Sequence, residues 1–158
     1  MNREHEIALG VECAWTPLPE PRRSPWADTW PVARLTVPRL GIERYVLAGA
    51  DGAAMAFGPG HVSGTPLPGE AGNSVIGGHR DTHLAFLAKL KPGDMLIAER
   101  ADGRRVTYRV SGTEVLDRRE VWVTKQEGPA RLTLVTCNAF DAWHAGGNQR
   151  YVLVAFLS

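Results

Sequence analysis

The chain has 158 residues, 44% hydrophobic and 22% charged, which is typical of one globular domain and excludes a disordered chain. Eighteen basic residues against seventeen acidic ones leave a net charge of +1, without the basic excess of a nucleic-acid-binding protein. Its two cysteines, Cys13 and Cys137, are too few for a disulfide scaffold, and no run approaches the roughly 18 apolar residues of a membrane-spanning helix.

Residues 1–31 differ in character from the rest of the chain. Five of them are prolines, which exclude a regular helix or a central strand. Trp15, Trp26 and Trp30 carry too much apolar ring surface to remain in water. The segment also lacks the apolar stretch of a signal peptide. We expect a leader or juxtamembrane segment at 1–31, packed in part through 26–31 on a single domain at 32–158.

Short strands separated by turn residues follow. The predicted strands are 33–37, 42–47, 74–78, 95–99, 106–116, 131–137 and 151–156. Residues 51–57 are predicted to form one or two helical turns, 58–72 a Gly- and Pro-rich loop, 84–90 a short helix and Asp102–Gly103 a hairpin turn. Seven or eight strands with few helices favour an all-β domain, and periodicity leaves both a closed barrel and a sandwich open.

Cys137 is the candidate nucleophile, because it ends an apolar strand whose rim a substrate can reach. An ordinary buried cysteine is the competing interpretation. A reactive thiolate needs a base or a cationic partner nearby. The leading candidates for this base are His79 and His144. His79 directly follows a predicted strand that ends in Gly77 and Gly78, and His144 lies in the loop after Cys137. His79 is preferred because rigid elements position catalytic groups better than loops do.

Arg150 opens the last predicted strand and would hold a fixed positive charge at the rim of the sheet. There it could donate hydrogen bonds to a carbonyl oxygen as negative charge develops on it. A solvated arginine at a strand end is the alternative.

A zinc site is the competing chemistry. His79 and His83 are four residues apart, as two ligands on one helix turn would be, with Cys137 or Asp81 as a further ligand. The glycines before His79 instead indicate a strand end, and Arg80 stands where the HExxH motif has glutamate. We therefore predict no metal and no organic cofactor.

Three segments together resemble the sortase family. TLVTC at 133–137 matches the TLxTC signature of sortases at all its fixed positions. Residues 73–80 resemble the strand-to-histidine segment of the family, and Arg150, thirteen residues after Cys137, lies where the family has its arginine. Residues 26–31, 57–61 and 79–83 look most like the GN class of Gram-negative bacteria, close to classes C and D.

The resemblance implies an eight-stranded β-barrel and a cysteine transpeptidase that is anchored in the membrane and faces away from the cytoplasm. It implies Cys137 as nucleophile, His79 as acid/base and Arg150 as oxyanion partner. The partners would be a substrate protein with a C-terminal sorting signal and an amine acceptor. Five further residues are expected to bind the substrate or support the catalytic groups: Thr136, Asn138, Asp141, His144 and His61.

Two departures from the family pattern stand out. The cysteine is followed by NAFD at 138–141, where the family pattern has YPFD. The family pattern therefore does not predict which substrate this loop favours. The family's N-terminal membrane helix is not recognised, so we expect an anchor outside this sequence or an atypical start. Two alternatives remain: a cysteine peptidase with water as acceptor, and a catalytically silent β-barrel binding module.

Overall fold

A computed structural model describes residues 31–49, 58–78, 84–117, 125–126, 128–137 and 149–158, with the backbone alone at Asp117, Cys137 and Gln149. Eight strands lie in these residues: β1 Pro31–Val37, β2 Ile42–Ala48, β3 Gly60–His61, β4 Asn73–Gly77, β5 Met95–Arg100, β6 Arg105–Asp117, β7 Arg131–Cys137 and β8 Gln149–Leu157. Two short 3₁₀ helices, Pro38–Leu40 and Ala85–Lys89, accompany them.

The strands close into a barrel in the order β1-β2-β3-β4-β7-β8-β6-β5. This confirms the barrel over the sandwich. Two neighbouring pairs, β2–β3 and β4–β7, are parallel, and the other pairs are antiparallel. Because β6 and β7 are both antiparallel to β8, they point in the same direction and end at the same end of the barrel.

The barrel interior holds the main apolar core. Alternate residues of each strand point inward, so Leu132 and Leu134 of β7 and Leu153 of β8 are fully buried there. Tyr108 is the largest fully buried side chain among the described residues, and its hydroxyl accepts a hydrogen bond of 2.7 Å from the backbone N–H of Gly69. Burial raises the pKa of Tyr108, so the phenol stays neutral.

A second, smaller apolar cluster lies on the outer face of β4, β7 and β8. It consists of Val62, Val75, Val135 and Val152, each at most 4% exposed. The residues of β7 and β8 in this cluster alternate with those of the interior, so both faces of these strands are covered near the middle of the sheet. We call this group the outer valine cluster.

The seven predicted strands agree with the structure, with no bound differing by more than two residues and with full agreement at 131–137. Inside the predicted 58–72 loop, however, Gly60–His61 pairs with both β2 and β4 and forms β3. The predicted helix at 84–90 is a 3₁₀ helix, Ala85–Lys89. The predicted turns at 51–57 and residues 1–30 of the predicted leader 1–31 lie outside the described residues. Pro31 itself begins β1, and the division of the chain into leader and domain stays a prediction.

Candidate active site

Cys137 and Arg150 are directly paired at the end of the β7–β8 ladder. The register runs without a shift from the pair of Arg131 and Phe156 to the pair of Cys137 and Arg150. Directly opposed residues of antiparallel strands have backbones only about 4.5–5.5 Å apart. The backbone of the predicted nucleophile therefore lies beside the backbone of the predicted oxyanion partner.

Arg150 is buried in spite of its charge. It is 5% exposed and also pairs with Leu116 on β6, so β8 holds it between two neighbouring strands. Burying a guanidinium is costly unless polar groups around it compensate. A solvated arginine at a strand end, the alternative raised above, does not describe this side chain.

The exit of β4 lies beside the exit of β7. Gly77 pairs with Val135 in the parallel ladder, and the N–H of Gly78 donates to the carbonyl of Val135 at 3.2 Å. A Cβ on Gly78 would come within 2.7 Å of Cγ of Leu84, which is itself fully buried. Glycine is therefore required where the chain leaves β4, immediately before His79 in the sequence.

Thr136 precedes the cysteine on the opposite face of β7. It is fully buried, pairs with Tyr151 and shares the interior side with Leu132 and Leu134. Its Oγ1 has no hydrogen-bond partner in the described part of the chain. A buried hydroxyl without a hydrogen bond lowers the free energy of unfolding, so threonine at position 136 contributes no more stability than valine would.

His61 lies in β3 and is 8% exposed. Its Nε2 lies 2.8 Å from the carbonyl oxygen of Pro66 and 3.1 Å from Oγ1 of Thr65. The Thr65 hydroxyl donates to the carbonyl of Val62, a member of the outer valine cluster. The contacts of His61 thus stabilise the loop after β3, which begins at Val62 of this cluster. A role of His61 in substrate binding stays a prediction.

Several predicted residues lie outside the described part of the chain. These are His79, Asn138, Asp141 and His144, together with the side chain of Cys137. Their predicted roles, like the chemical role of Arg150, stay predictions.

The sequence interpretation missed a polar group at the start of β4. Both polar atoms of the Gln126 side chain bond the backbone of Asn73, and the Asn73 Oδ1 accepts a hydrogen bond of 2.6 Å from Oγ1 of Thr133. A glutamine in a connecting segment carries no motif, so local pattern could not have revealed this contact.

Among the residues that the structure describes, no group of three or more His, Cys, Asp or Glu side chains is placed to hold a metal ion. Among the same residues, no helix has the length and hydrophobicity needed to cross a bilayer.

Comparison with known proteins gives consistent matches. Residues 35–158 match the sequence profile of the Sortase domain. Sortase D of Bacillus subtilis (strain 168) is 29% identical over 120 residues, which cover 75% of this chain and 60% of that relative. The chain thus matches less than two thirds of the length of this curated relative.

The barrel of this chain is similar in fold to several solved structures. A Clostridium perfringens Sortase D5 transpeptidase is 26% identical with a TM-score of 0.70, covering 81% of this chain and 79% of that one. Sortase A from Listeria monocytogenes is 25% identical with a TM-score of 0.67, covering 81% and 87%. Sortase A from Corynebacterium diphtheriae, at 19% identity and a TM-score of 0.75 over 99% and 80%, shows the fold alone.

The profile match extends over more than three quarters of the chain and includes both β7, with its terminal cysteine, and β8, with its buried arginine. The chain belongs to the sortase family.

Proposed function

We propose that this protein is a cysteine transpeptidase that cleaves the C-terminal sorting signal of a substrate protein and transfers the product to an amine. The observation that carries the proposal is the cross-strand pair of Cys137 and Arg150 at the rim of the barrel. Strand pairing holds the two backbones together without help from a loop. Membership of the sortase family supports the same reaction.

His79 is the proposed acid/base. Gly77 pairs with Val135 in parallel register, and counting two further residues along each segment reaches His79 and Cys137. Strand residues two apart lie on the same face, so a continued register favours contact between imidazole and sulfur. The hydrogen bond from Gly78 to Val135 supports continuation by at least one residue.

In the first half-reaction the Cys137 thiolate attacks a backbone carbonyl carbon of the sorting signal, that of a threonine. A C–S bond forms, and the carbonyl oxygen becomes an oxyanion that the Arg150 guanidinium stabilises. Removing one such donor typically costs about 10²–10³ in kcat. As the tetrahedral intermediate collapses, the C–N bond breaks and the His79 imidazolium protonates the leaving amine, so that a thioester on Cys137 remains.

In the second half-reaction an incoming amine attacks the thioester carbonyl. Its extra proton passes to His79, the C–S bond breaks and Cys137 leaves as thiolate. One amide bond is broken and one is formed, so no oxidant, reductant or cofactor is consumed. Because the first product leaves before the acceptor reacts, turnover follows ping-pong kinetics.

The proposed partners are a substrate protein with a C-terminal sorting signal and an amine acceptor. The sortase family is associated with the cell envelope. More narrowly, we propose the extracytoplasmic face of the inner membrane of a Gram-negative bacterium, as a GN-class enzyme with residues 1–31 as juxtamembrane segment. Thr136, Asn138, Asp141, His144 and His61 are proposed to support the substrate or the catalytic groups.

The test is incubation of the protein with a library of threonine-containing peptides plus a small primary amine, with products read by mass spectrometry. The proposal predicts peptides cleaved after threonine and carrying the amine. Cleaved peptides without the amine at saturating amine concentration would indicate a peptidase. An intact library together with a Cys137 thiol inert to a mild alkylating agent would indicate a non-catalytic binding module.

A further inference from the structure

Glu114 lies one cross-strand row away from the proposed catalytic pair. Cys137 pairs with Arg150 on β8, and Val135, two residues earlier on the same face of β7, pairs with Val152. Val152 pairs in turn with Glu114 on β6. The outer face of the barrel therefore carries a carboxylate in the row next to the proposed site.

The Glu114 side chain differs from its neighbours on this face. Val135 and Val152 belong to the outer valine cluster, and Leu116, two residues further along β6, packs against it. Glu114 is exposed, and within the described ranges it forms neither an ion pair nor a side-chain hydrogen bond. Arg150, by contrast, is 5% exposed. The charge that a ligand from solution meets on this face of β6 is therefore negative.

The β6 segment around Glu114 lies at a margin of the described sheet. β5 pairs with β6 only from Arg105 to Arg109, whereas Glu114 lies five residues later, where β8 is the one described strand that pairs with β6. A ligand can therefore approach Glu114 from the side of β6 as well as from the outer face.

Strand geometry sets the separation of Glu114 from the proposed nucleophile. Two steps between neighbouring strands and two residues along a strand separate Glu114 from Cys137, which places their Cα atoms about 12 Å apart. Both positions lie on the same outer face by strand alternation. Two amines joined by five carbons, with one charge-assisted hydrogen bond added, span roughly 10 Å. A diamine of this length therefore reaches from the Glu114 carboxylate to a thioester on Cys137.

We propose that Glu114 is a specificity-determining residue for the acceptor, and that the acceptor is an aliphatic diamine. The Glu114 carboxylate binds one end of the diamine as an ammonium group, while the amine at the other end attacks the thioester on Cys137. The new C–N bond forms, the C–S bond breaks and the extra proton passes to His79, so the ammonium at Glu114 stays charged throughout. This inference rests on the proposed transpeptidase function.

The test is a competition between 1,5-diaminopentane and pentylamine, supplied at equal concentration in the peptide-transfer assay. The two acceptors share the chain length and a reacting amine, and they differ in the second ammonium group. The ratio of their two transfer products, read by mass spectrometry, does not depend on the amount of folded enzyme. An exposed ion pair changes an equilibrium constant by roughly twofold to fivefold, so we expect Glu114→Gln to lower the diamine-to-monoamine ratio about threefold. The statistical advantage of two reactive ends cancels between variant and wild type.

Charge reversal and salt give two further readouts of the same contact. Glu114→Lys places a like charge beside the second ammonium group, so the ratio should fall below that of Glu114→Gln. Raising the NaCl concentration to about 0.5 M screens the attraction. The wild-type ratio should then approach that of Glu114→Gln, whose own ratio should not respond to salt.

Glu99→Gln is the matched control, because it removes the same charge at a distant position. Glu99 pairs with Arg105, nine residues before Glu114 on β6 and about 30 Å away along the strand. This variant should keep the wild-type product ratio. Equal losses in Glu99→Gln and Glu114→Gln would report net charge alone and would overturn the inference.

The remaining outcomes separate the inference from the proposed function. An unchanged product ratio in Glu114→Gln, with both amines still transferred, overturns the inference and leaves the proposed function intact. A wild type that transfers neither amine defeats the proposed function and this inference with it.

Discussion

Arg150 lies directly across the β7–β8 ladder from Cys137, as the last pair of an antiparallel register that runs unbroken over seven pairs. Neither residue depends on a loop for its backbone position. In this arrangement the ladder sets the separation of the two backbones, and burial of Arg150 to 5% exposure restricts the guanidinium.

Substituting Arg150 should impair catalysis much more than folding. Arg150→Ala removes the proposed oxyanion donor, and we expect kcat to fall by about 10²–10³-fold. Arg150→Lys keeps the charge without the planar fork and should lie between the alanine variant and the wild type. Steady-state kinetics with the transfer assay measure both effects.

Arg44→Ala is the control for this series, because Arg44 is a partly exposed β2 residue whose guanidinium donates to the carbonyl of its neighbour Glu43. It should keep the wild-type kcat. Equal losses in Arg150→Ala and Arg44→Ala would show that the pairing with Cys137 has no chemical significance.

A side chain at position 78 should disturb the exit of β4. The Cβ of Gly78→Ala would meet the Leu84 Cγ at 2.7 Å, so either Leu84 or the backbone before His79 must move. We expect loss of both stability and activity in Gly78→Ala. The loss of transfer activity in Gly78→Ala/Leu84→Ala should be smaller than the sum of the losses in the two single variants, because alanine at position 84 removes the Cγ and Cδ1 that the new Cβ meets. Additive losses in the double variant would exclude this steric cause.

Tyr108→Phe should destabilise the fold without affecting the site. The Tyr108 hydroxyl accepts the hydrogen bond of Gly69, which is itself buried. Phenylalanine leaves that N–H without an acceptor, at a cost of about 1–3 kcal/mol in the free energy of unfolding. Urea unfolding measures the difference. Tyr45→Phe, at a residue 57% exposed, is the control and should unfold like the wild type.

The contribution of Asp94 to stability should disappear in acid. The hydrogen bond from Arg39, followed by that from the backbone of Lys91, lowers the pKa of Asp94 in the folded state. A lowered folded pKa means that the stabilisation is present above the unfolded value, about 3.9, and is lost as the pH falls through the folded value. The difference in urea midpoint between wild type and Asp94→Asn should therefore be constant above about pH 5 and shrink below about pH 4. A difference that stays constant down to pH 3 would contradict this coupling.

Local pattern predicted the strands because their signals are local. The turn between β1 and β2 ends at Gly41 with a φ of +64°, and the β5–β6 hairpin uses Gly103 at +91°, conformations that favour glycine. The apolar run 131–137 gave the bounds of β7 directly. The prediction of a closed barrel came from the resemblance to sortases, because periodicity alone fits a barrel and a sandwich equally well.

Pairing between distant segments could not be predicted from the same signals. The two-residue strand β3 exists only because β2 and β4 flank it, and its glycine and histidine have no strand pattern of their own. The parallel pairing of β4 with β7 joins segments about 60 residues apart. The hydrogen bonds between the Gln126 side chain and the Asn73 backbone join residues 53 apart. Such contacts depend on the closed barrel as a whole.

The most direct measurement of the central claim is intact-protein and peptide-level mass spectrometry after rapid quenching in acid with a cleavable peptide and no amine. We predict that wild-type protein gains the mass of the acyl fragment as a hydroxylamine-sensitive thioester, mapped to Cys137, and that Cys137→Ala gains none. An acyl group mapped to another residue, or full transfer activity in Cys137→Ala, would contradict the account.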